Sequence, residues 1–257
     1  MAAKKATSEE VVDIVQVSQQ TTTFHLVGET PLIFNKMSSK ARQELLLPRG
    51  RKTASERATT LKHDPIAEFL ASPYTIAEEE AETYLAALSA WFKRAMSNAA
   101  LDMAGARKAV IGRNIYVVGE RLPLYGTPKL LMAVTRSADI GRTPDIRSRA
   151  IVPEWATSFT VRHTIPLLRG QMVTNLLAAA GMTVGVGDWR QEKGSGSYGL
   201  FRIVSEDDEQ YQRIKAEGGR AVQQAAMEAP EPYDDETSEL FSWFNDELSA
   251  RRTRGVA

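Results

Sequence analysis

The most constraining feature of the sequence is a strictly alternating segment at residues 157–163, followed closely by a helical pattern. Phe159 and Val161 alternate with Ser158, Thr160 and Arg162. Such alternation is typical of an antiparallel strand that is buried on one face only. Residues 169–180 then carry apolar side chains at three- and four-residue spacing, which predicts an amphipathic helix. The chain therefore has to form a sheet whose apolar face is covered by helices.

The remaining elements follow from the same patterns. Residues 10–27 are predicted to form one long strand or two successive strands, and further strands are predicted over 114–118, 130–135 and 200–204. Helices are predicted over 66–70, 77–104, 206–227 and 238–251. Asp64 and Pro65 form a start signal for the helix at 66–70. Residues 36–62 and 136–149 lack periodicity and are expected to be loops. This order favours an α+β fold with a ferredoxin-like antiparallel sheet and helices on one face.

Charge is distributed very unevenly along the chain. The 32 basic and 32 acidic residues cancel, but residues 1–204 carry 26 basic and 19 acidic side chains, and residues 205–250 carry 3 and 13. We therefore expect a mildly basic domain over 1–204, with a long basic loop at 36–62, and an acidic helical tail over 205–257. Basic loops neutralise phosphates in nucleic-acid-binding proteins, although a solvated loop without a ligand explains the same pattern.

Several classes of function find no support in the sequence. The chain has no cysteine, which excludes disulfides, thiolate metal sites and cysteine nucleophiles. Its three histidines, His25, His63 and His163, lack metal-ligand spacing, and the sequence contains no HExxH, Walker A or GxSxG motif and no strand–GxGxxG–helix unit. No segment resembles a signal peptide or a membrane span. We expect a cytoplasmic protein without a metal or cofactor, and no enzyme is predicted.

A glycine-rich segment at residues 181–199 contains six glycines in nineteen residues. It includes Gly185-Val186-Gly187-Asp188-Trp189-Arg190, followed by Tyr198-Gly199-Leu200-Phe201 at the start of a predicted strand. This arrangement resembles the RAMP superfamily, which includes the RNA-coating backbone subunits of CRISPR effector complexes. The segment 91–95 on the long predicted helix is a looser match to the same family. The chain also resembles phage and prophage proteins in the stretches GETPLIFNKM and GVGDWR…YGLF.

The resemblance implies a ferredoxin-like fold in which the glycine-rich loop lies near bound RNA. From the residues themselves, the glycine amides are candidates for phosphate contact, the basic side chains for charge neutralisation, and the aromatic rings for base stacking. The alternative is a mobile hairpin with glycines at positive φ. The predicted nucleic-acid-binding residues are Lys36, Lys40, Arg42, Arg49, Arg51, Lys52, Arg147, Arg149, Gly185, Gly187, Trp189, Arg190, Lys193 and Tyr198.

The preferred function is binding of single-stranded RNA or DNA by a homo-oligomer that coats the strand. The terminal helix, with Leu240, Phe241, Phe244 and Leu248 on one side, is expected to dock on a partner protein or on the core of its own chain. One alternative is a phage structural or assembly protein that oligomerises without nucleic acid. Another is a hydrolase or nuclease with a site around His25 or His63.

Overall fold

A computed structural model describes residues 16–37, Leu46, 63–136, 144–193 and 196–253. In these ranges the strands are β1 (Ser18–Gly28), β2 (Leu32–Ile33), β3 (Tyr74–Thr75), β4 (Leu85–Leu88), β5 (Ile115–Val117), β6 (Arg121–Tyr125), β7 (Lys129–Arg136), β8 (Pro144–Val152), β9 (Ala156–Ile165) and β10 (Phe201–Val204). The helices are α1 (Pro65–Ala71), α2 (Ser89–Ala99), α3 (Lys108–Asn114), α4 (Gly170–Thr183), α5 (Glu209–Glu217), α6 (Arg220–Glu228) and α7 (Asp235–Thr253).

The larger sheet has the order β10-β1-β9-β6-β4-β3, and β5 also pairs with β9. The pairs are antiparallel, and β1 lies between β10 and β9. One face of this sheet is apolar because the side chains alternate: Phe24 and Leu26 on β1 and Phe159 on β9 are buried. Phe92 from α2 meets Phe159 with the ring centroids 4.5 Å apart, and α2 packs beside α4. The fold is therefore α+β, as the sequence predicts.

A second, three-stranded sheet has the order β2-β8-β7. Strand β2 pairs with β8 only at Ile151 and Val152, so the rest of β8 forms one edge of this sheet and β7 forms the other. The chain itself covers parts of both edges. Along β8, the amides of Ser148 and Ala150 donate to Glu68 Oε2 (3.2 Å) and Ser72 Oγ (2.8 Å). Along β7, Leu130 exchanges backbone hydrogen bonds of 2.8 Å with Glu231 and Tyr233. Because these strand amides and carbonyls are satisfied, the positions are not open to pairing with another chain.

Two predicted elements are wrong, and the single helix predicted over 206–227 is divided into α5 and α6 at Gly218-Gly219. The helix predicted at 77–104 is in fact a turn, strand β4 and the shorter helix α2. Leu85, Ala86 and Ala87 are fully buried, and pairing with β6 outweighs their helical propensity. The loop predicted at 136–149 is also partly strand, because β8 begins at Pro144 and pairs with β7 up to Arg136. The stretches 1–15, 38–45 and 47–62, which include most of the basic loop, lie outside the described residues.

The acidic C-terminal part packs on the rest of the chain. Tyr211 and Ile214 of α5 are buried against Val27, Tyr125 and Ala156. Leu240 and Phe241 of α7 pack on the main hydrophobic core, which is one of the two predicted docking places. The boundary between residues 204 and 205 remains a prediction. In the described part of the chain, no helix has the length and apolar character needed to cross a membrane.

Candidate nucleic-acid interface

The glycine-rich segment forms a tight turn that is packed between α4 and the second sheet. Gly185 and Gly187 are buried and have positive φ values of 73° and 81°. A Cβ atom on Gly187 would lie 2.7 Å from the carbonyl oxygen of Ile33, so only glycine fits without a shift. The Gly185 amide donates to the Ala180 carbonyl at 2.9 Å. These glycines allow close packing, and the Gly185 amide is already engaged rather than open to a phosphate.

Trp189 and Tyr198 stand on opposite arms of this turn and lie over one face of the second sheet. Their ring centroids are 6.2 Å apart, and both side chains pack with Tyr233 on a buried cluster of Ile33, Leu131 and Ile151. Both residues are half-buried. Trp189 has a positive φ of 47°, and its carbonyl accepts a hydrogen bond of 3.2 Å from the Tyr198 amide. The structure thus holds both rings in defined positions while leaving part of each exposed.

Arg147 and Arg149 project from β8 on the same side of the sheet as Trp189. Together with Ile33, Leu131, Ala133 and Thr135, these three residues line a small surface hollow, which we call the Arg147–Trp189 surface. Arg149 forms an ion pair with Asp188. Burial, followed by the charge of Arg147, lowers the pKa of the Arg149 guanidinium, but arginine stays protonated at neutral pH. Arg147 is exposed, and no carboxylate in the described residues pairs with it.

Other predicted binding residues lie elsewhere or outside the described part of the chain. Arg190 is buried: its Nη2 lies 3.2 Å from Glu192 Oε2, and Glu192 accepts a hydrogen bond from Asn98 of α2. Lys36 is half-buried, with Nζ 6.0 Å from the centre of the Tyr74 ring. Neither residue lines the Arg147–Trp189 surface. Nothing is described for Lys40, Arg42, Arg49, Arg51 and Lys52, nor for the side chain of Lys193.

One contact near this surface has no counterpart in the sequence patterns. The ring nitrogens of His63 lie 2.8 Å from Glu68 Oε1 and 2.8 Å from Asp145 Oδ1. This contact holds His63, which follows the basic loop predicted at 36–62, against the start of β8. His63 and Asp145 are 82 positions apart, so no local spacing signals the contact. Within the described ranges, no group of three His, Asp or Glu side chains is arranged to hold a metal ion.

Comparisons with known proteins leave the family open. No family model matches the sequence, and no curated protein matches it. Among solved structures, the chain is similar to a chain in the cryo-EM structure of the type III-B Cmr-β bound to cognate target RNA, at 11% identity and a TM-score of 0.34. The match covers 73% of this chain and 59% of that one, so it spans about three fifths of that protein's length. Because so low a TM-score supports no conclusion, the RAMP and phage relationships stay predictions.

Proposed function

We propose that this protein binds single-stranded nucleic acid at the Arg147–Trp189 surface and does so without catalysing a reaction. One observation supports this most strongly: an exposed arginine that pairs with no carboxylate of the described residues stands beside a half-buried tryptophan ring on a sheet face. Arginine is suited to phosphate and an indole face to any base. A strand that binds there would place one phosphate at Arg147 and stack one base on Trp189.

The packing around Trp189 favours base stacking, because the ring is already held in place. Trp189 is held by its contacts with Ile33 and Leu131, so little side-chain entropy is lost when a base stacks on it. Base–aromatic stacking contributes about 1–3 kcal/mol per base. Arg149 is partly neutralised by Asp188, which leaves Arg147 as the main cation of this surface. We therefore expect modest affinity per site and a shallow salt dependence from this surface alone.

The strand order supports the ferredoxin-like part of the proposal. The run β10-β1-β9-β5 is antiparallel throughout. Helix α2 lies between β1 and β5 in the sequence, and α4 lies between β9 and β10. Apart from the further elements inserted between them, this order is consistent with the β-α-β-β-α-β connection of that fold. The glycine-rich turn then joins α4 to β10. We propose that several copies coat one strand, with the basic loop at 36–62 adding phosphate contacts.

Fluorescence anisotropy tests this proposal. Labelled 20-nucleotide RNA and DNA are titrated at about 50 and 200 mM salt with the full chain and with three variants. Arg147→Ala is expected to weaken binding several-fold and to lower the salt slope by about 1. Trp189→Leu is expected to weaken binding about 5- to 100-fold at both salt concentrations. Lys108→Ala removes an exposed cation on α3 and should bind like the unchanged protein.

The proposal fails if the full chain does not bind at the lower salt concentration, or if Arg147→Ala and Trp189→Leu both bind like Lys108→Ala. Recovered oligonucleotides should be intact, since a cleaved product would overturn the non-enzymatic part. Repeating the titration with a 60-nucleotide strand tests coating. The number of bound copies should rise about threefold with strand length, and an unchanged number would refute the coating part.

A second candidate, self-assembly without nucleic acid, is favoured by one observation. Trp243 on α7 is 61% exposed, although Leu240 and Phe241 of the same helix pack on the core. Aromatic residues are enriched in protein–protein interfaces. Light scattering without nucleic acid should then detect oligomers that Trp243→Gln converts to monomers. A protein that is monomeric at micromolar concentration would exclude this candidate.

A further inference from the structure

A second surface with nucleic-acid-binding chemistry lies on the larger sheet, and no prediction from the sequence included it. Alternate side chains of β1, β9 and β5 point away from the apolar face that α2 and α4 cover. Thr21 and Thr23 on β1 are exposed, and Tyr116 on β5 is 49% exposed. In the strand register Thr21 lies opposite Arg162, Thr23 opposite Thr160, and Tyr116 opposite Arg162. We call these five residues the Tyr116 face.

Arg162 and Tyr116 form the centre of this face. The Arg162 guanidinium lies 4.8 Å from the centre of the Tyr116 ring, and its Nη1 lies 3.5 Å from Gln19 Oε1. No carboxylate of the described residues lies within ion-pair distance of Arg162. The guanidinium is therefore positioned against an aromatic ring, but its positive charge is not neutralised.

The charge of the Tyr116 face is complementary to a polyanion. The three strands that form it, with sequences SQQTTTFHLVG, ATSFTVRHTI and IYV, contain no aspartate or glutamate. The hydroxyls of Thr23 and Thr160, 3.0 Å apart and exposed, offer donors and acceptors to base edges. A cation, a flat ring and hydroxyls on neighbouring strands match the needs of a short unpaired strand: one phosphate, one stacked base and polar contacts.

One end of the same side of the larger sheet is covered by a helix, and this cover marks where the Tyr116 face ends. Helix α5 lies over one end, where Tyr211 and Ile214 bury Val27 and Ala156. Towards the other end, the outward residues of β1 become polar and exposed, and those of β9 are polar and half-buried. The sheet thus places an apolar patch under its own helix and leaves the hydroxyl-rich patch without cover from the described residues. A sheet face is also rigid, so the ring and the guanidinium need no reordering when a ligand binds.

We infer that the Tyr116 face is a second binding site for single-stranded nucleic acid, with a base stacked on Tyr116 and a phosphate on Arg162. This inference rests on the proposed function, because it assumes that the protein binds such a strand at all. It adds a contact on the larger sheet that is separate from the Arg147–Trp189 surface. Two contacts on one strand raise the total affinity by effective concentration when the strand is long enough to reach both.

Photo-crosslinking locates the contact directly. The full chain is irradiated with an oligonucleotide that contains 5-iodouridine, digested with trypsin, and analysed by mass spectrometry. Cleavage after Arg113 and Arg121 releases residues 114–121, which carry Tyr116 as their only aromatic residue. We expect a crosslink in this peptide. Arg162→Gln should reduce its yield several-fold, whereas Lys108→Gln, which removes an exposed cation at the start of α3 and leaves both cleavage sites intact, should not.

Anisotropy with matched variants supplies the second readout. Tyr116→Thr is expected to weaken binding about 5- to 100-fold, and Tyr116→Phe, which keeps the ring, should restore most of the affinity. An equal loss with Thr and Phe would refute stacking. If the full chain binds but residues 114–121 carry no crosslink and Tyr116→Thr binds normally, this inference fails while the proposed function stands. If the full chain does not bind, the proposed function itself fails.

Discussion

A substitution of Gln223 tests most directly whether residues 205–257 are part of the same folding unit as the rest of the chain. Its side chain is fully buried on α6. Its Oε1 accepts hydrogen bonds from the amides of Tyr84 (2.8 Å) and Leu85 (2.9 Å). Its Nε2 lies 2.7 Å from the Leu124 carbonyl oxygen and 2.8 Å from that of Gly218. One amide group therefore connects α6 to β4, to β6 and to the turn between α5 and α6.

Gln223→Ala should lower the free energy of unfolding by about 4 kcal/mol. Each buried amide left without an acceptor costs about 1–3 kcal/mol, and two amides depend on Oε1. The lost side-chain volume adds a cavity cost. Against a total stability of about 5–15 kcal/mol, this loss is large. It corresponds to a decrease in Tm of about 10 °C for a chain of this size.

Urea unfolding followed by circular dichroism measures this effect. Gln224→Ala, the next residue on α6 and exposed, is the matched control and should change stability by less than about 0.5 kcal/mol. Gln223→Glu keeps the volume and the acceptor but removes both donors, so it should also destabilise at neutral pH. Equal midpoints for the two alanine variants would refute the reasoning. A separate early transition in Gln223→Ala would show that residues 205–257 unfold independently, as the predicted domain boundary requires.

Two further predictions concern the packed turn and an acidic helix cap. Gly187→Ala should destabilise the protein by several kcal/mol, because the strain of a positive φ is added to the close approach of the Ile33 carbonyl. Gly105 has a φ of 79° with open space around it, so Gly105→Ala should cost only about 1 kcal/mol in the same thermal melts. Equal losses of stability in the two variants would contradict this explanation. The Asp208 side chain accepts a hydrogen bond from the Tyr211 amide, which lowers the pKa of its carboxyl group. The Asp208 carboxylate therefore stabilises the folded protein fully above the pKa of about 4 that it has in the unfolded chain. This stabilisation is lost as the pH falls through the lower pKa of the folded protein. Tm measured from pH 6 to pH 2 should fall less steeply for Asp208→Asn than for the unchanged chain, and parallel curves would refute this.

Local signals predicted several elements well. The Asp64 carboxylate accepts a hydrogen bond from the Ala67 amide at 3.0 Å and caps α1, as its position before Pro65 indicates. The alternating segment at 157–163 lies within β9, and the helical pattern at 169–180 corresponds to α4. Both follow from the periodicity of apolar side chains, which acts within a few residues and needs no knowledge of the rest of the chain.

The candidate site was predicted only in part. The sequence indicated Arg147, Arg149 and Trp189, and the structure brings these three side chains to one hollow. It did not indicate that Asp188 neutralises Arg149, nor that Arg190 is buried beside Glu192. These outcomes depend on how the glycine-rich turn crosses the second sheet, which no spacing within the turn specifies.

The amino-acid sequence by itself determined which face of β9 is apolar, where α1 begins, and where the glycine-rich turn lies. These are local consequences of side-chain periodicity, capping and backbone sterics. Only the tertiary structure decided that residues 85–88 form a strand, that Arg162 lies over Tyr116, and which sheet faces stay uncovered. Strand pairing and burial join residues far apart in the chain, and their free energies outweigh local propensity wherever the two conflict.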